Sequence, residues 1–360
     1  MVDSIYIHIP FCNRKCSYCD FYILTNMPNM YEKYVEYLIK EIRMYPKIKY
    51  DTIYFGGGTP SVLNVEQIKK ILDELDYDEN TEITLELNPT NMTYEKLKEL
   101  RKLGVNRLSI GVQSFNDEIL KLMNREHNVD DSIKTYNDAR KAGFSNISLD
   151  LIFAIPSQTI KDLDYDIENI EKLNPEHISI YSLIWEEGSR FSKLLREKKI
   201  EKLDEDTEAN MFINIMDKLS ELGYEHYEIS SFCKKKKYGR HNMKYWDNSE
   251  FIGVGISASS FYNNKRFEKI RKLNEYYKKI DNNEIPINEK TIEEVTKKDL
   301  RELEYILGLR RLNIGINYYE DNKEKIDKLI SKGLITKKNN RIYLTKEGIL
   351  LGDNVILELI

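Results

Sequence analysis

Cysteine is scarce in this chain: there are four in 360 residues, alongside two tryptophans and five histidines. So few thiols, three of them clustered, suggest a reducing compartment, and the cytoplasm is the expectation. Long apolar runs are also missing, so no stretch reads as spanning a bilayer, and any membrane contact would be peripheral. Met1-Val2-Asp3-Ser4 leads directly into a β-rich stretch, without the pattern of a signal peptide. A basic excess is absent too. The formal net charge is −5, which argues against a chain built mainly to bind nucleic acid. No low-complexity tract and no repeat of fixed period stands out. The chain does have 41% apolar residues, enough for a sizeable core. Its length suits one large domain, or one large and one small.

Hydrophobic periodicity divides the first half into alternating strands and helices. Strands are expected over 4–9, 52–55, 82–87, 107–110, 147–153 and 177–183. Helices are expected over 30–45, 65–75, 94–103, 117–123, 129–142 and 160–173. Six β–α units in succession argue for an α/β fold with a parallel sheet. A partial (β/α)6 barrel is favoured over a doubly wound sheet. Further on, a long helix is expected over 204–222, a short strand over 226–229 and a polar linker over 282–290. Residues 297–360 read as three helices, then two short strands around Asn339-Asn340, a pattern resembling a winged-helix module. The expected division is a barrel core over 1–190, an extension completing it over 191–285, and a small winged-helix-like α+β module over 286–360.

The densest chemistry follows the first strand. The run from Ile9 to Phe21 holds Cys12, Cys16 and Cys19 in the spacing C-x₃-C-x₂-C. Clustered thiolates select zinc or iron–sulfur. A structural zinc site wants a fourth Cys or His nearby, and a disulfide would leave one thiol over. Three cysteines can instead hold three irons of a 4Fe–4S cluster and leave the fourth open, whereas the usual four-cysteine cluster is coordinatively closed. An open corner suggests catalysis rather than electron storage. Cys233, in a lysine-rich loop, reads as a free thiol.

The other unusual motifs also fall at strand ends, where barrels of this kind place their chemistry. They are Gly56-Gly57-Gly58-Thr59-Pro60-Ser61, Glu86-Leu87-Asn88-Pro89, Gly111-Val112-Gln113-Ser114-Phe115, the segment from Asp150 to Pro156, and Tyr181-Ser182-Leu183. Triple glycine lets the backbone approach a ligand. It is not a P-loop, because no Gly-Lys-Ser/Thr follows. Glu86 reads either as a site carboxylate or as a capping acid. His8, inside a strand, is as well read as structural as functional.

The cysteine loop, framed by Tyr6-Ile7-His8-Ile9-Pro10-Phe11 and Asp20-Phe21, resembles the cluster motif of the radical S-adenosylmethionine (radical SAM) family. Within it, the string is similar to the branch of oxygen-independent coproporphyrinogen III dehydrogenase (oxidase) and its haem-chaperone relatives. The resemblance implies a 4Fe–4S cluster on Cys12, Cys16 and Cys19 whose open iron binds SAM. It also implies an electron donor such as flavodoxin or ferredoxin. Gly57, Gly58 and Thr59 match positions at the SAM amino group, and Glu86 matches a polar contact. Gln113, Arg125 and Asp150 match further SAM positions; Arg125 suits the carboxylate, and Asp150 suits ribose hydroxyls. Tyr6 and Tyr18 match positions lining cluster and SAM, or simply pack. Ser182 is one more matching position.

His241-Asn242-Met243-Lys244-Tyr245-Trp246 resembles the H-N-x-x-Y-W motif of the chaperone branch. His241 reads either as an axial haem ligand, with Arg240 and nearby lysines at the propionates, or as part of a structural turn under the barrel. Phe21 stands where the dehydrogenases carry a further cysteine, two past Cys19. The cluster loop begins almost at residue 1, where they have a long extension. Both point to the chaperone branch, although residues 253–260 lack the histidine usual there. The expected function is therefore a cytoplasmic haem chaperone that binds haem and hands it to an accepting protein. The alternative is an oxidase acting on coproporphyrinogen III in porphyrin biosynthesis. A nucleic-acid-binding redox regulator ranks below both, because residues 289–360 are nearly balanced in charge.

Overall fold

The computed structural model describes residues 2–360. Six strands come first: β1 (Ser4–Ile9), β2 (Thr52–Gly57), β3 (Glu82–Leu87), β4 (Arg107–Gln113), β5 (Ile147–Phe153) and β6 (His177–Ser182). Between them run α1 (Tyr31–Ile42), α2 (Val65–Leu72), α3 (Tyr94–Lys102), α4 (Asp117–Leu122), α5 (Val129–Lys141) and α6 (Ile160–Leu173). The six strands are parallel and lie in sequence order. Every crossover therefore steps the same way, and right-handed connections place the helices on one face. A doubly wound sheet would reverse strand order at a switch point, and this one does not.

Each strand alternates with period two. Isoleucines 5, 7 and 9, with Phe55, Leu85, Ile110, Leu149 and Ile178, join the main apolar core with Tyr34, Leu38, Ile71, Leu97 and Ile167 of the helices. Tyr6, His8, Tyr54, Glu86, Arg107, Ser109, Asp150 and His177 point to the opposite, inner face. Capping boxes fix the starts of α2 (Asn64 with Gln67), α5 (Asn128 with Asp131) and α6 (Thr159 with Asp162). Each satisfies amides that a helix start leaves orphaned.

After α7 (Arg190–Arg196) and α8 (Glu205–Glu221), the chain adds β7 (Glu225–Glu228), β8 (Ser231–Cys233), α9 (Arg240–Trp246) and β9 (Ile252–Val254). The sheet order is β9-β1-β2-β3-β4-β5-β6-β8-β7, with β9 parallel to β1 and β8 antiparallel to β6. The two edges are not joined, so the barrel is open. Next come β10 (Ser259–Tyr262), β11 (Lys265–Glu268) and α10 (Leu273–Asp281). The segment expected as a linker is not loose. Pro286 accepts from the Ile270 amide at 2.9 Å, and Glu268 accepts from the Asn288 amide at 2.9 Å.

The last part begins with α11 (Lys297–Leu303) and a short π-helical turn (Glu304–Gly308). It has its own apolar core, including Tyr305, Ile316, Ile326, Ile342 and Ile356. Asn339 and Asn340 have φ of 49° and 59°, as a tight hairpin turn requires. They join Ile335–Lys338 to Arg341–Leu344 as expected, and Ile316–Asn317 adds a third strand. Two helices, Lys346–Leu350 and Gly352–Leu359, follow the hairpin; the sequence reading placed its helices only before it. Among the described residues, no helix is long and apolar enough to cross a membrane.

A buried ion pair ties the barrel to the segment that follows β9. Lys269 and Glu41 lie 2.8 Å apart, both with fully buried side chains. Glu41 also accepts from Tyr276 at 2.6 Å and from the Gly255 amide at 2.8 Å. It thus joins α1 to α10 and to the turn after β9. Removing one partner leaves a buried charge uncompensated, so Lys269→Met should cost about 3–5 kcal/mol. In denaturant melts, Glu41→Gln/Lys269→Met should cost less than the sum of the single changes.

Candidate cluster and cofactor site

The cysteine loop leaves the C-terminal end of β1 and closes on itself at its base. Phe11 and Cys12 pair with Leu24 and Thr25, and the Leu24 amide donates to Pro10 at 2.7 Å. Cys12 is buried there, while Cys16 and Cys19 stand half-buried further out. The outer part is pinned to the neighbouring connection, because the Ser17 amide donates to Met123 at 2.9 Å and Asn124 Nδ2 donates to Lys15 at 2.8 Å. Burial pushes the Cys12 thiol up to about 11 and also raises Cys19.

The glycine loop is zipped to this one. Gly58 donates to Ile9 and Thr59 to Phe11, each at 2.8 Å. A Cβ on Gly58 would stand 2.7 Å from the Phe11 carbonyl, and Gly57 has φ of +111° with the His8 ring against it. Both positions need glycine. Thr59 Oγ1 lies 3.3 Å from Cys12 Sγ. Glu86, at the end of β3, accepts from Tyr54 at 2.7 Å and from the Gly57 amide at 3.2 Å. Burial raises its carboxyl to about 7, against the hydrogen bond from Tyr54.

Arg125 joins the loops. Its guanidinium donates to Gly111 at 2.7 Å and to Asn88 at 2.8 Å, and to Cys16 Sγ and Tyr18 Oη at 3.4 Å each. A Cβ on Gly111 would meet Gln113, Arg125 and Asn88 within 3.4 Å. Gln113 sits at a β-bulge with φ of +68°, a backbone that non-glycine residues seldom adopt. Asp150 is paired in register with Gly111. It accepts from Ser109 at 2.6 Å and Ser148 at 2.8 Å, and burial raises its carboxyl. Tyr6 stacks beside Tyr54 with centroids 6.1 Å apart, and its hydroxyl is 3.0 Å from His8 Nδ1.

The chemistry of the donor set fits a thiolate-ligated cluster with a polar cofactor beside it, although among the described residues no three such side chains are gathered as a metal-holding group. Three thiols share one loop, and a half-buried cation stands against Cys16. Arg125 Nε and His8 Nε2 are buried without a hydrogen-bond partner among the described residues. Cys233 cannot join them. It lies in β8 rather than in a loop, is buried, and pairs with His177 at the opposite end of the sheet.

One expected residue is placed differently. His241 is buried in α9, with Nδ1 2.7 Å from Thr52 Oγ1 and Nε2 2.8 Å from Tyr245 Oη, and it stacks on Tyr54. Neither ring nitrogen is open to iron, so its surroundings match the structural turn, not the haem ligand. Ser182, at the C-terminal end of β6, donates to Glu208 of α8. Sequence reasoning did not single out Tyr54 or Arg107, although both lie on the polar side of alternating strands. Arg107 is fully buried and lies 3.4 Å from His177 Nδ1.

Glu86 carries a test. Its folded-state carboxyl holds its proton to about pH 7, whereas an unfolded one releases it near the usual carboxylate value. Its contribution to stability is therefore full at low pH and is lost as pH rises through 7. Glu86→Gln should flatten that decline. In thermal melts without cofactor, it should match the parent near pH 4.5 and exceed it at pH 8.

Comparison with known proteins agrees with this geometry. Residues 6–170 match the Radical SAM superfamily. The heme chaperone HemW of Lactococcus lactis is 37% identical over 98% of this chain and 96% of its own length. That of Bacillus subtilis is 36% identical over 98% of each. The solved structure of coproporphyrinogen III oxidase (HemN) from Escherichia coli superposes with a TM-score of 0.85 at 24% identity, covering 99% of this chain and 89% of that one; it shows a shared fold. With the thiol loop, the parallel barrel and relatives matching over nearly their full length, this chain belongs to the HemW family of the radical SAM superfamily.

Proposed function

We propose that the protein is a haem chaperone that binds haem and transfers it to an accepting protein. The observation that carries this reading is near full-length identity of 36–37% to proteins named heme chaperones. Phe21, in place of the further cysteine of the oxidase branch, supports it. The oxidase is the weaker reading, since likeness to HemN at 24% identity speaks only to fold.

Cys12, Cys16 and Cys19 would hold three irons of a 4Fe–4S cluster. When bound, the cluster supplies an electron for reductive cleavage of SAM. Thr59 and Arg125 flank the thiols. The loop of Gly57, Gly58 and Thr59 lets backbone approach the SAM amino group. Arg125 suits the carboxylate, and Asp150 the ribose. Gln113, Tyr6 and Tyr18 complete the wall. Glu86 would lose its proton as a cationic ligand arrives, because a nearby positive charge lowers a carboxyl pKa. An acidic electron-transfer protein of the flavodoxin or ferredoxin type would serve as donor.

Anaerobically reconstituted protein should hold about four irons per chain. Replacement of Cys12, Cys16 or Cys19 by Ala should abolish the cluster absorbance, while Cys233→Ala should retain it. A Cys16→Ala protein with its cluster intact would exclude the assignment.

Function is tested by paired assays. Haem titration should give a bound spectrum, and mixing with an apo-acceptor should move haem to it. Because His241 is enclosed by Thr52 and Tyr245, His241→Gln should keep that spectrum while lowering the melting temperature. With reductant, SAM and coproporphyrinogen III, no protoporphyrinogen IX should form. Turnover there would favour the oxidase reading.

A further inference from the structure

The outer side of the cysteine loop faces a surface groove that the reading above leaves unused. Lys15, Cys16, Arg190, Lys193 and Arg196 line it, with Glu187 its one acid. Between residues 187 and 202 there are six lysines or arginines and three acids, in a chain whose formal net charge is −5. The patch is therefore a local reversal of sign, and such a reversal steers partners of opposite charge.

The groove is built onto the cluster loop rather than hung beside it. The Phe191 amide donates to Ser17 at 2.8 Å, within the cysteine loop. Phe191 sits in a small apolar cluster with Ile119, Met123, Ile155 and Leu183. Gly188 packs against Asp20, since a Cβ there would come within 2.8 Å of the Asp20 carboxylate. Ser189 caps α7 through the Ser192 amide at 3.2 Å. The cations of α7 thus hold a fixed place relative to Cys16, the thiol on the groove wall.

We propose that this groove is the docking surface for an acidic one-electron carrier protein. The proposal rests on the cluster reading above and adds the surface, the residues and the partner's charge. The four cations come from two separate elements and line an open surface instead of enclosing a pocket, which suits a broad acidic face better than one small anion. Docking there brings the carrier against Cys16. One electron leaves the carrier and enters the cluster; the carrier is oxidised by one unit and the cluster reduced by one, with no atom transferred.

The test compares the full-length reconstituted protein with its R190E/K193E/R196E variant, using flavodoxin as the probe. Binding of oxidised flavodoxin is measured by calorimetry at about 50 mM and about 300 mM salt, where screening differs strongly. Cluster reduction is followed by absorbance with reduced flavodoxin and, separately, with dithionite. The parent should bind roughly tenfold more weakly at high salt, and the variant roughly tenfold more weakly than the parent at low salt. The variant should be reduced slowly by flavodoxin and at the parent rate by dithionite. Equal binding, or equal reduction by flavodoxin, would overturn the proposal. So would charge-dependent binding of a single-stranded RNA by a protein that ignores flavodoxin. Absence of any cluster would instead count against the cluster reading, and calorimetry on the cluster-free chain would still decide the surface. If the charge-reversed chain fails to fold, R190Q/K193Q/R196Q takes its place, with a smaller loss of the same sign expected.

Discussion

Everything at this site depends on the polarity of the inner face of the parallel sheet. Parallel strands usually carry apolar residues on both faces. Here the inner face presents Glu82, Glu86, Arg107, Asp150, His177 and several hydroxyls. Burying such groups is costly unless each is paired. Deep in the barrel the partners come mostly from the protein itself. His177 lies 2.8 Å from Ser148 Oγ and 2.7 Å from Tyr227 Oη, and His241 is enclosed by Thr52 and Tyr245. Burial keeps both imidazoles neutral well below their ordinary range. These histidines hold strands and α9 together. Towards the mouth, the carboxyls of Glu86 and Asp150 are both raised by burial, and Arg125 Nε has no partner among the described residues. The same polar lining is structural at one end and receptive at the other.

The receptive end is assembled by adjacency in the sheet. Because β1 and β2 run in register, Ile9 opposite Gly57, the loops leaving them emerge side by side. Two backbone hydrogen bonds then suffice to lock glycine loop to cysteine loop. Arg125 reaches the same place from the connection after β4, and its contacts with Asn88 and Gly111 span the ends of β3 and β4. A site made this way tolerates little displacement. A Cβ at Gly58 would push the Phe11 carbonyl and, through the Phe11–Leu24 pairing, the base of the thiol loop.

Much of this is legible in the sequence because it is local. Cysteine spacing, glycine runs and strand-end carboxylates announce themselves within a few residues, and sequence order alone orders the first six strands. The misreadings are long-range. Nothing near His241 shows that Thr52, almost two hundred residues earlier, will occupy its Nδ1. Cys233 borders a run of lysines, yet pairing with β6 and β7 on either side draws it into the sheet. The polar segment after α10 looks like a linker until Ile270 and Glu268 bind its backbone. Its composition is that of exposed chain, but its hydrogen bonds are those of a sheet margin.

The two sides of the cysteine loop differ in kind, and that difference orders events at the site. Its inner side meets Arg125, Thr59 and the polar barrel, where a small charged cofactor gains from excluded water, since weaker screening strengthens each contact. Its outer side meets exposed cations on α7, where solvent remains and attraction acts over a distance of about a Debye length. A cofactor held inside and a protein arriving outside need not compete for the same surface. Cys16 stands between them, bonded to Arg125 on one side and lining the basic groove on the other. The loop's fastening to Met123 and Phe191 keeps that thiol in place while either side is engaged. A rigid loop with two unlike faces is what a centre fed by one partner and used by another requires.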